Sequence, residues 1–471
     1  MAVVSARQLP RSASAPARSA TRVNTAHVAA TRSRSLPAMI GKYHIKSKLG
    51  EGSTSEVFLA HDPFRGIDVA IKRVRISLMA DAQETRFQQR FFAAEAALVG
   101  QLQHPNVVQI LDAVADTRAP YLVMEHVPGV TLRRFCRADS LLPLAQIIEV
   151  GFKCAMALGY VFRQGLIHRD VKPANLMVTL DGDQISELKI TDFGSAFNLG
   201  AEHTQVYRVG SLAYMSTEQL DGDVLDCRAD MYSLSAVLYH LIAGRPPFDA
   251  NQQPALMHQI YHASPPPLQS LRDGIAPQLQ AFIERGLSKK RADRPADWDE
   301  FSQGLSALVS EHHVPRGPLQ GVLDSERFTL LRALEFFAGF GDVELWEVVH
   351  RAQWQRHTFG QALFRKGDEG NSFHIVTQGQ VEVYRDGKQV ASLGAGTSVG
   401  EMAYLAPSPE LRTHSADVLV SQPATTVAFT PETLGQLSLA TRHLFDVAFI
   451  RVLVRRLHAA HEALAHPRRI L

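Results

Sequence analysis

The chain contains the sequence IHRDVKPAN at residues 167–175, and TDFG follows it at residues 191–194. Two other short motifs precede this pair, VAIK at residues 69–72 and GEGSTSEV at residues 50–57. The two glycines of the earliest motif lie one residue apart, which lets the backbone approach phosphate oxygens and offer N–H groups to them. Such glycines are also common in plain turns between strands. The order and spacing of all four motifs, rather than any one of them, indicate the fold of this region.

The segments around these motifs change from a strand pattern to a helix pattern along the chain. Short runs rich in β-branched and aromatic residues predict strands at residues 43–48, 55–61 and 68–74. Apolar residues at helical spacing predict helices at residues 88–102, 144–164, 227–243 and 278–287. A small strand-rich lobe followed by a larger helical lobe is an α+β, two-lobed outline.

Together these motifs resemble the eukaryotic-type (Hanks-type) serine/threonine protein kinase family, over residues 41 to 307. The resemblance implies a two-lobed kinase fold at residues 39–308, with a small lobe at 39–127 and a large lobe at 128–308. It also implies ATP-dependent transfer of the γ-phosphoryl group to Ser and Thr hydroxyls of protein substrates. The implied cofactors are ATP and Mg²⁺, with Mn²⁺ as an alternative.

By the same resemblance, the charged residues of the motifs have separate roles. Lys72 is expected to grip the α- and β-phosphates and to pair with Glu95. Asp192 and Asn175 are expected to hold magnesium.

Asp170 is expected to orient the substrate hydroxyl and to accept its proton. Lys172 adds positive charge near the γ-phosphate and marks the Ser/Thr-specific branch of the family. The residues expected to line the ATP site are Leu49, Gly50, Glu51, Gly52, Ser53, Val57, Ala70, Lys72, Met124, Glu125 and Val127. Because every charged catalytic position is filled, a non-catalytic signalling scaffold is disfavoured.

The activation segment, residues 195–215, offers candidate phosphorylation sites. In the family an Arg before the catalytic Asp, here Arg169, is often neutralised by a phosphate on this segment. Thr204 is the first candidate, with Tyr207 and Ser211 as others, and the alternative that Thr204 is an ordinary loop hydroxyl stays open. Glu218, which closes the segment, is expected to form a buried ion pair with Arg294.

A second set of glycine-punctuated strands follows a Pro/Gly-containing linker, assigned to residues 309–325. Residues 359–370 read FGQALFRKGDEG, residues 373–381 read FHIVTQGQV, and residues 399–403 read VGEMA. This series resembles cyclic-nucleotide-binding domains, which implies a helix-flanked β-roll at residues 326–465 with a short tail at 466–471. The whole chain is therefore expected to be a multidomain α+β protein.

The family's phosphate cassette implies a second binding site. Glu401 is expected to accept from a ribose 2′-OH, and Arg412 to pair with the cyclic phosphate. Gly400, Met402, Ala403 and Thr413 complete the cassette. Two interpretations remain open, a sensor of cAMP or cGMP that tunes the kinase, or a degenerate domain used for docking or dimerisation. An amphipathic helix is expected at residues 442–463. The resemblance implies that this helix caps or uncaps the pocket, and its apolar face could cover either the pocket or the kinase lobe.

Composition excludes several other classes of protein. The 471 residues are 45% hydrophobic, with 49 Lys and Arg against 47 Asp and Glu, so a dedicated nucleic-acid binder is not expected. A transcription regulator is also disfavoured, because only 37 residues follow residues 431–434 and one long helix is expected to fill them. No apolar run of membrane-spanning length was found, the longest candidate being residues 231–243.

The termini and the cysteines complete the expectations. Residues 1–38 hold six Arg and no acidic residue, and they are expected to be a disordered basic tail, with a targeting segment or a regulatory arm as alternatives. Met39 is an alternative start. Three scattered cysteines fit a reducing compartment, so a cytoplasmic location is expected. A homodimer is left as an open alternative.

Overall fold

The computed structural model describes residues 36–52, 55–75, 89, 92–115, 119–198, 212–315, 323–406, 408 and 412–465. The strands are β1 Met39–Ile40, β2 Tyr43–Glu51, β3 Ser55–Asp62, β4 Ile67–Val74, β5 Ile110–Val114, β6 Tyr121–Glu125, β7 Val130–Thr131, β8 Leu166–Ile167, β9 Leu176–Asp181, β10 Gln184–Ile190, β11 Phe197–Asn198, β12 Gln353–His357, β13 Ala362–Phe364, β14 Phe373–Arg385, β15 Lys388–Gly394, β16 Ser398–Val399 and β17 Asp417–Phe429. The helices are α1 Leu144–Arg163, α2 Thr217–Asp221, α3 Cys227–Ala243, α4 Gln253–His262, α5 Pro277–Gly286, α6 Trp298–Ser310, α7 Asp324–Arg332, α8 Asp342–Arg351, α9 Glu401–Tyr404, α10 Pro431–Gly435 and α11 Leu439–Ala465. Short 3-10 turns lie at Leu132–Phe135, Pro173–Asn175, Phe193–Ser195, Leu212–Tyr214, Leu268–Ser270, Arg291–Asp293 and Glu335–Phe337.

The small lobe is an antiparallel sheet in the order β1-β2-β3-β4-β6-β5. Alternate residues of its strands point inward, because successive side chains of a strand face opposite sides of the sheet. Phe58 and Ala60 on β3 and Val69 and Ile71 on β4 are buried in this way. Residues 92–96 of the segment after β4 are helical. The small lobe thus has the strand-rich structure that its sequence predicts.

The large lobe is built around α1, which packs against α3 and α6. Of the helices in the described part of the chain, α1 is the one long and apolar enough to cross a membrane by length and composition, and 89% of its most apolar window is buried inside the protein. The sequence interpretation had placed the longest apolar run at residues 231–243, and this was wrong. The polar residues Glu149 and Lys153 interrupt α1 in sequence, but tertiary contacts bury Lys153 and leave the Glu149 side chain only 12% exposed.

The C-terminal domain is a β-roll built on two long paired strands, β14 and β17. β12 and β13 pair with β17, and β15 and β16 pair with β14. The rings of Phe373 and Phe429, which face each other across these strands, stack with centroids 5.0 Å apart. Phe445 and Phe449 of α11 pack on them and anchor that helix to the roll. Glycine-bounded hairpins followed by one long helix therefore fold as the sequence pattern predicts.

The helices α7 and α8, which precede this roll, pack on the large lobe. The ring of Phe152 on α1 meets those of Phe328 and Trp346 at centroid distances of 5.9 and 6.0 Å. Helix α7 begins at Asp324, inside the residues that the sequence interpretation assigned to the linker. A single hydrophobic core therefore continues from the large lobe into the C-terminal domain.

Candidate active site and ligand cavity

The loop after α1 and β8 carries the HRD sequence, and buried contacts fix its backbone. Arg169 has a φ of 65°, in the left-handed region that non-glycine residues seldom adopt. Asp230 of α3 compensates by accepting from the backbone N–H groups of His168 and Arg169, both at 2.8 Å. The His168 ring is fully buried and packs on the ring of Phe193, with centroids 4.8 Å apart. Its Nε2 lies 3.1 Å from the carbonyl oxygen of Thr191. The HRD and DFG motifs are thereby joined.

Asp170 lies in this loop between two donors. Lys172 Nζ is 2.6 Å from Asp170 Oδ2, and Asn175 Nδ2 is 3.0 Å from the same oxygen. Asn175 Nδ2 also donates to the backbone carbonyl of Asp170 at 2.9 Å. Asp170 as a whole residue is only 7% exposed, so these contacts set the orientation of its carboxylate. Such an oriented carboxylate beside an ammonium group can accept a proton from a hydroxyl while the ammonium group offsets developing negative charge.

Lys72 on β4 connects the two lobes. Its Nζ lies 2.9 Å from both carboxylate oxygens of Glu95 and 2.6 Å from Asp192 Oδ1. Burial by itself disfavours the charge on Lys72, but attraction to the two carboxylates outweighs burial and raises its pKa. Burial also opposes the charge on Asp192, yet the Lys72 ammonium lowers the pKa of that carboxyl to about 2. Burial raises the pKa of Glu95 to about 7, against the attraction of Lys72.

The hairpin between β2 and β3 leaves open space where phosphates would lie. A Cβ added to Gly50 would meet no atom within 4 Å, and the nearest atom to one on Gly52 is 3.7 Å away. The Asp192 side chain is 42% exposed, so its carboxylate is accessible in addition to its contact with Lys72. A cation, two hard oxygen-bearing side chains (Asp192 and Asn175) and unobstructed glycines suit a magnesium nucleotide. The residues present therefore fit ATP and a divalent metal.

The residues expected around the adenine lie on neighbouring strands. Val57 pairs with Lys72, and Ala70 pairs with Met124. Leu49, beside Gly50 on β2, is 48% exposed, whereas Val127 beyond β6 is buried. The Glu125 side chain is used elsewhere, because its Oε1 lies 2.7 Å from Lys189 Nζ.

Glu51 also points away from a nucleotide role. Its carboxylate is paired with Lys48 at 2.5 Å and with Arg75 on the exposed side of the sheet. Only its backbone therefore remains for the expected ATP contact.

Glu218 and Arg294 form the expected buried pair. Arg294 Nη1 and Nη2 lie 2.6 and 3.0 Å from the two Glu218 oxygens, and the Arg294 side chain is fully buried. The Arg294 guanidinium group also donates to the backbone carbonyls of Arg228 and Ser288. Three other expected residues, Ser53, Thr204 and Ser211, lie outside the described residues, as does Tyr207.

A cavity of about 600 Å³ lies between the β-roll and α11. Residues of the expected cassette that line it are Gly400, Glu401, Met402, Ala403 and Thr413. Gly400 has a φ of 84°, and a Cβ there would be 2.8 Å from the ring of Phe364, so glycine is required on both counts. Met402 lines the cavity while remaining 66% exposed.

Of the two charged residues expected to contact the ligand, Glu401 lines this cavity. Glu401 is 1% exposed, and Arg456 of α11 donates to its Oε1. Arg412 is not among the cavity's lining residues, and its Nε donates to the carbonyl oxygen of Ala406 at 3.3 Å. Among the described residues, Glu401 Oε2 and Ser398 Oγ are buried without a hydrogen-bond partner. Buried unsatisfied oxygens beside a cavity fit a ligand that donates hydroxyl groups, as a ribose does.

Arg456 lines the cavity, and the sequence interpretation did not include it. A signal for it exists, because Arg456 lies seven residues after Phe449, two helical turns along the same face of a helix expected to cap the pocket. Its Nη2 also donates to the carbonyl oxygen of Ser398 at 2.8 Å, so the guanidinium bridges β16 and Glu401.

Two family models match separate regions of the chain. The model of the protein kinase domain matches residues 43–305, and the model of the cyclic nucleotide-binding domain matches residues 355–440.

Curated serine/threonine-protein kinases also match this chain. Serine/threonine-protein kinase PknB of Mycobacterium leprae is 36% identical over 303 residues, which are 63% of this chain and 47% of that protein. PknB of Mycolicibacterium smegmatis is 35% identical over 300 residues, 62% of this chain and 46% of that protein. Probable serine/threonine-protein kinase SCO3848 of Streptomyces coelicolor is 32% identical over 291 residues, 60% of this chain and 42% of that protein. The chain spans about half the length of the curated relatives it matches.

Proposed function

The chain belongs to the protein kinase family and contains a cyclic nucleotide-binding domain, and on this premise we propose that it phosphorylates Ser and Thr residues of proteins under the control of a cyclic nucleotide. The observation that carries the catalytic part is the contact of Lys72 with both Glu95 and Asp192. This contact joins the small lobe to the DFG motif, so the phosphate-binding cation and the metal-binding carboxylate face one cleft.

The residues of the cleft divide the work of phosphoryl transfer. Lys72 binds phosphate oxygens, and Glu95 holds its ammonium group in position. Asp170 receives the hydroxyl proton of the substrate, and Lys172 stabilises the charge that develops on the transferred group. Magnesium bound by Asp192 and Asn175 would offset the negative charge of the phosphates. Positioning and charge neutralisation supply most of the catalysis in this class of reaction.

Specificity for Ser and Thr rests on Lys172. Its Nζ lies 2.6 Å from Asp170 Oδ2, and therefore beside the place where a short aliphatic hydroxyl must reach the carboxylate. The protein relatives that match this chain are named as serine/threonine-protein kinases, which supports the same specificity.

Control by cAMP or cGMP is supported by the cavity and by the contact between the two domains. The cavity volume lies within the range of small-molecule sites, and Glu401 Oε2 is a buried acceptor without a protein partner in the described chain. The helices α7 and α8 join the β-roll to α1, and α1 leads through β8 into the loop that carries Asp170. A ligand that prefers one arrangement of the roll would thereby change the cleft.

The catalytic proposal is tested with the full chain, MgATP and a generic protein substrate. Phosphate should appear on Ser and Thr, identified by mass spectrometry, and Asp170→Asn and Lys72→Met should each abolish it. The matched control is Lys46→Met, because Lys46 is an exposed lysine on the same sheet that pairs with Asp68. Transfer that survives in Asp170→Asn would refute the assignment of that residue.

The ligand proposal is tested by titration calorimetry of the full chain with cAMP and with cGMP. We expect binding of at least one nucleotide, and its loss in Glu401→Gln. Glu382→Gln is the control, because Glu382 lies on the same roll and contacts Tyr384 instead of the cavity. The absence of binding by both nucleotides would favour the docking interpretation of this domain, for which the placement of Arg412 outside the cavity lining is the supporting observation.

A further inference from the structure

Two ion pairs of the kinase domain join its small lobe to its large lobe. Lys72 Nζ of the small lobe lies 2.6 Å from Asp192 Oδ1 of the large lobe. Lys189 Nζ of the large lobe lies 2.7 Å from Glu125 Oε1 of the small lobe. Lys189 and Asp192 are three residues apart, at the end of β10 and directly after it. One short segment therefore holds the small lobe twice, through a carboxylate at the phosphate site and through an ammonium group outside that site.

Glu125 is the last residue of β6, where the chain begins to pass from the small lobe to the large lobe. Its backbone N–H donates to the carbonyl oxygen of Gln109 at 3.0 Å, and its Oε1 accepts from the backbone N–H of Gln109 at 2.9 Å. The same Oε1 accepts from Lys189 Nζ. Met124, Glu125 and Val127 are among the residues expected to line the ATP site, so Lys189 holds the backbone at the adenine end of that site.

Lys189 is itself fixed by the strands around it. Its backbone pairs with Met177 of β9. The next residue, Ile190, donates to the carbonyl oxygen of Asn106 at 2.8 Å and accepts from the N–H of Val108 at 2.9 Å. The Lys189 side chain is only 17% exposed, which restricts the positions open to its ammonium group. Because the backbone is fixed on both sides of the ion pair, Lys189 can set the separation of β6 and β10.

The pair should affect nucleotide binding more than folding. When Lys189 is removed, Glu125 keeps its bond to the Gln109 backbone, and its side chain is 29% exposed, so water can solvate the carboxylate. Loss of an ion pair of this exposure reduces folding stability little. Binding of a base, by contrast, requires backbone donors and acceptors in one geometry, and a less ordered backbone must be ordered when the base binds.

We infer that Lys189 is a positioning residue for the nucleotide, because by holding Glu125 it fixes the backbone of residues 125–127 against which the base binds. The inference rests on the proposed kinase function and adds to it a residue that acts through Glu125 instead of on the ligand. Lys72 and Asp192 have contacts of their own at the phosphate end. Removal of Lys189 therefore weakens the binding of the base and leaves the binding of the phosphates in place.

The test compares two ligands of the full chain, ATP and inorganic tripolyphosphate, by titration calorimetry in the presence of Mg²⁺. We expect Lys189→Met to raise the dissociation constant of ATP about fivefold and to leave that of tripolyphosphate within about twofold of wild type, as befits a partly exposed ion pair at the base end. In steady-state assays KM for ATP should rise by a similar factor, and kcat should change less than KM. Lys46→Met is the matched control, because it removes an ion pair with Asp68 that lies within the small lobe, and it should change neither dissociation constant.

Further variants separate positioning from a general loss of structure. Lys189→Arg, which can donate to the same oxygen, should keep the wild-type affinity for ATP. Lys189→Glu and Glu125→Lys should each weaken ATP binding, and their combination should restore part of the loss. The inference is overturned by a Lys189→Met variant that binds ATP as tightly as wild type, by equal weakening of ATP and tripolyphosphate, or by a Lys189→Arg variant as weak as Lys189→Met. A wild-type chain that binds neither ligand would instead refute the proposed kinase function itself.

Discussion

Arg456 near the end of the chain donates a hydrogen bond to Glu401, which lies 55 residues earlier at the start of α9. The carboxylate expected to receive a ribose hydroxyl is therefore already held by the helix that covers the cavity. The second oxygen of Glu401 has no partner among the described residues, so a ligand can use it without first breaking this contact. Any ligand that prefers one position of Arg456 shifts α11, and by thermodynamic linkage the position of α11 alters affinity for the ligand.

Replacing Arg456 by Ala should destabilise the C-terminal domain. Leaving a buried carboxylate without its cation costs about 1–3 kcal/mol, and the lower half of that range is expected because Arg456 is 41% exposed. The loss is measured as a lower midpoint of thermal unfolding. Arg455→Ala, at the next residue, should change the midpoint little, because the pair of Arg455 with Glu335 is exposed on both sides. Equal effects of the two variants would contradict this role of Arg456.

Lys153 should be needed for the docking of the C-terminal domain on the large lobe. Its side chain is 4% exposed, lies 2.9 Å from Asp324 Oδ2 and 3.8 Å from Glu149 Oε1, and so neutralises carboxylates contributed by both domains. Lys153→Met removes the buried cation between these two carboxylates but leaves Glu149 hydrogen-bonded to Ser325 and Asp324 paired with Arg327. The loss should therefore be smaller than the about 3–5 kcal/mol of a fully unpaired buried charge. We expect separate unfolding transitions for the two domains in calorimetry.

Two further variants make that experiment specific. Lys366→Met removes an exposed ion pair of the β-roll with Asp386 and should leave the unfolding profile unchanged. Adding Glu149→Gln and Asp324→Asn to Lys153→Met should restore part of the lost stability, because the buried charges are then removed together. Failure of this rescue would mean that Lys153 acts through packing instead of charge.

Arg294→Ala should strongly destabilise the large lobe. The guanidinium is fully buried, bonds both Glu218 oxygens, and lies over the Tyr232 ring with 4.9 Å to the centroid. Removing one partner of a buried pair costs about 3–5 kcal/mol, which should be visible as a large drop in the denaturant midpoint. Arg285→Ala is the comparison, because the pair of Arg285 with Glu300 is largely exposed and should contribute less than about 1 kcal/mol.

The catalytic cleft could be predicted from sequence because local motifs hold its parts. Residues 167–175 and 191–194 place Asp170, Asn175 and Asp192 through short loops fixed by nearby backbone contacts. Lys72 could be placed because it lies on a strand whose register with Val57 follows from the hairpin. The pairing of Lys72 with Glu95 joins residues 23 positions apart, and it could be predicted only from the spacing of the family's motifs.

The ligand cavity could be predicted only in part, because its cation comes from a distant segment. The sequence interpretation took Arg412 as the arginine available near Glu401, but chain proximity does not determine which way a side chain points. Arg412 donates to Ala406, while Arg456 reaches Glu401 because Phe445 and Phe449 fix the rotation of α11. The docking of α7 on α1 was missed for the same reason, since Lys153 and Asp324 are 171 residues apart and each looks like an ordinary surface charge in sequence.

His104 should make the stability of the kinase domain fall as the pH is lowered. The His104 side chain is buried, its Nδ1 accepts from the backbone N–H of Asn106 at 3.0 Å, and its ring stacks on Tyr160. Burial, aided by the positive charges of Lys189 and Arg163, lowers the pKa of His104 to about 3 from an ordinary value of 6.5. The unfolded chain therefore takes up a proton below pH 6.5 that the folded protein excludes until about pH 3. Stability from this group is complete above pH 6.5 and is lost progressively as the pH falls through that window.

Between pH 7.5 and pH 5.5 this single group should remove about 1.4 kcal/mol from the free energy of unfolding. The measurement is denaturant unfolding of the wild type and of His104→Gln at both pH values. His104→Gln should be less stable than the wild type at each pH. However, its free energy of unfolding should fall by about 1.4 kcal/mol less than that of the wild type between pH 7.5 and pH 5.5. His44→Gln, at an exposed position on β2, should keep the wild-type difference. If His104→Gln also shows the wild-type difference in stability between the two pH values, the acid sensitivity comes from another group.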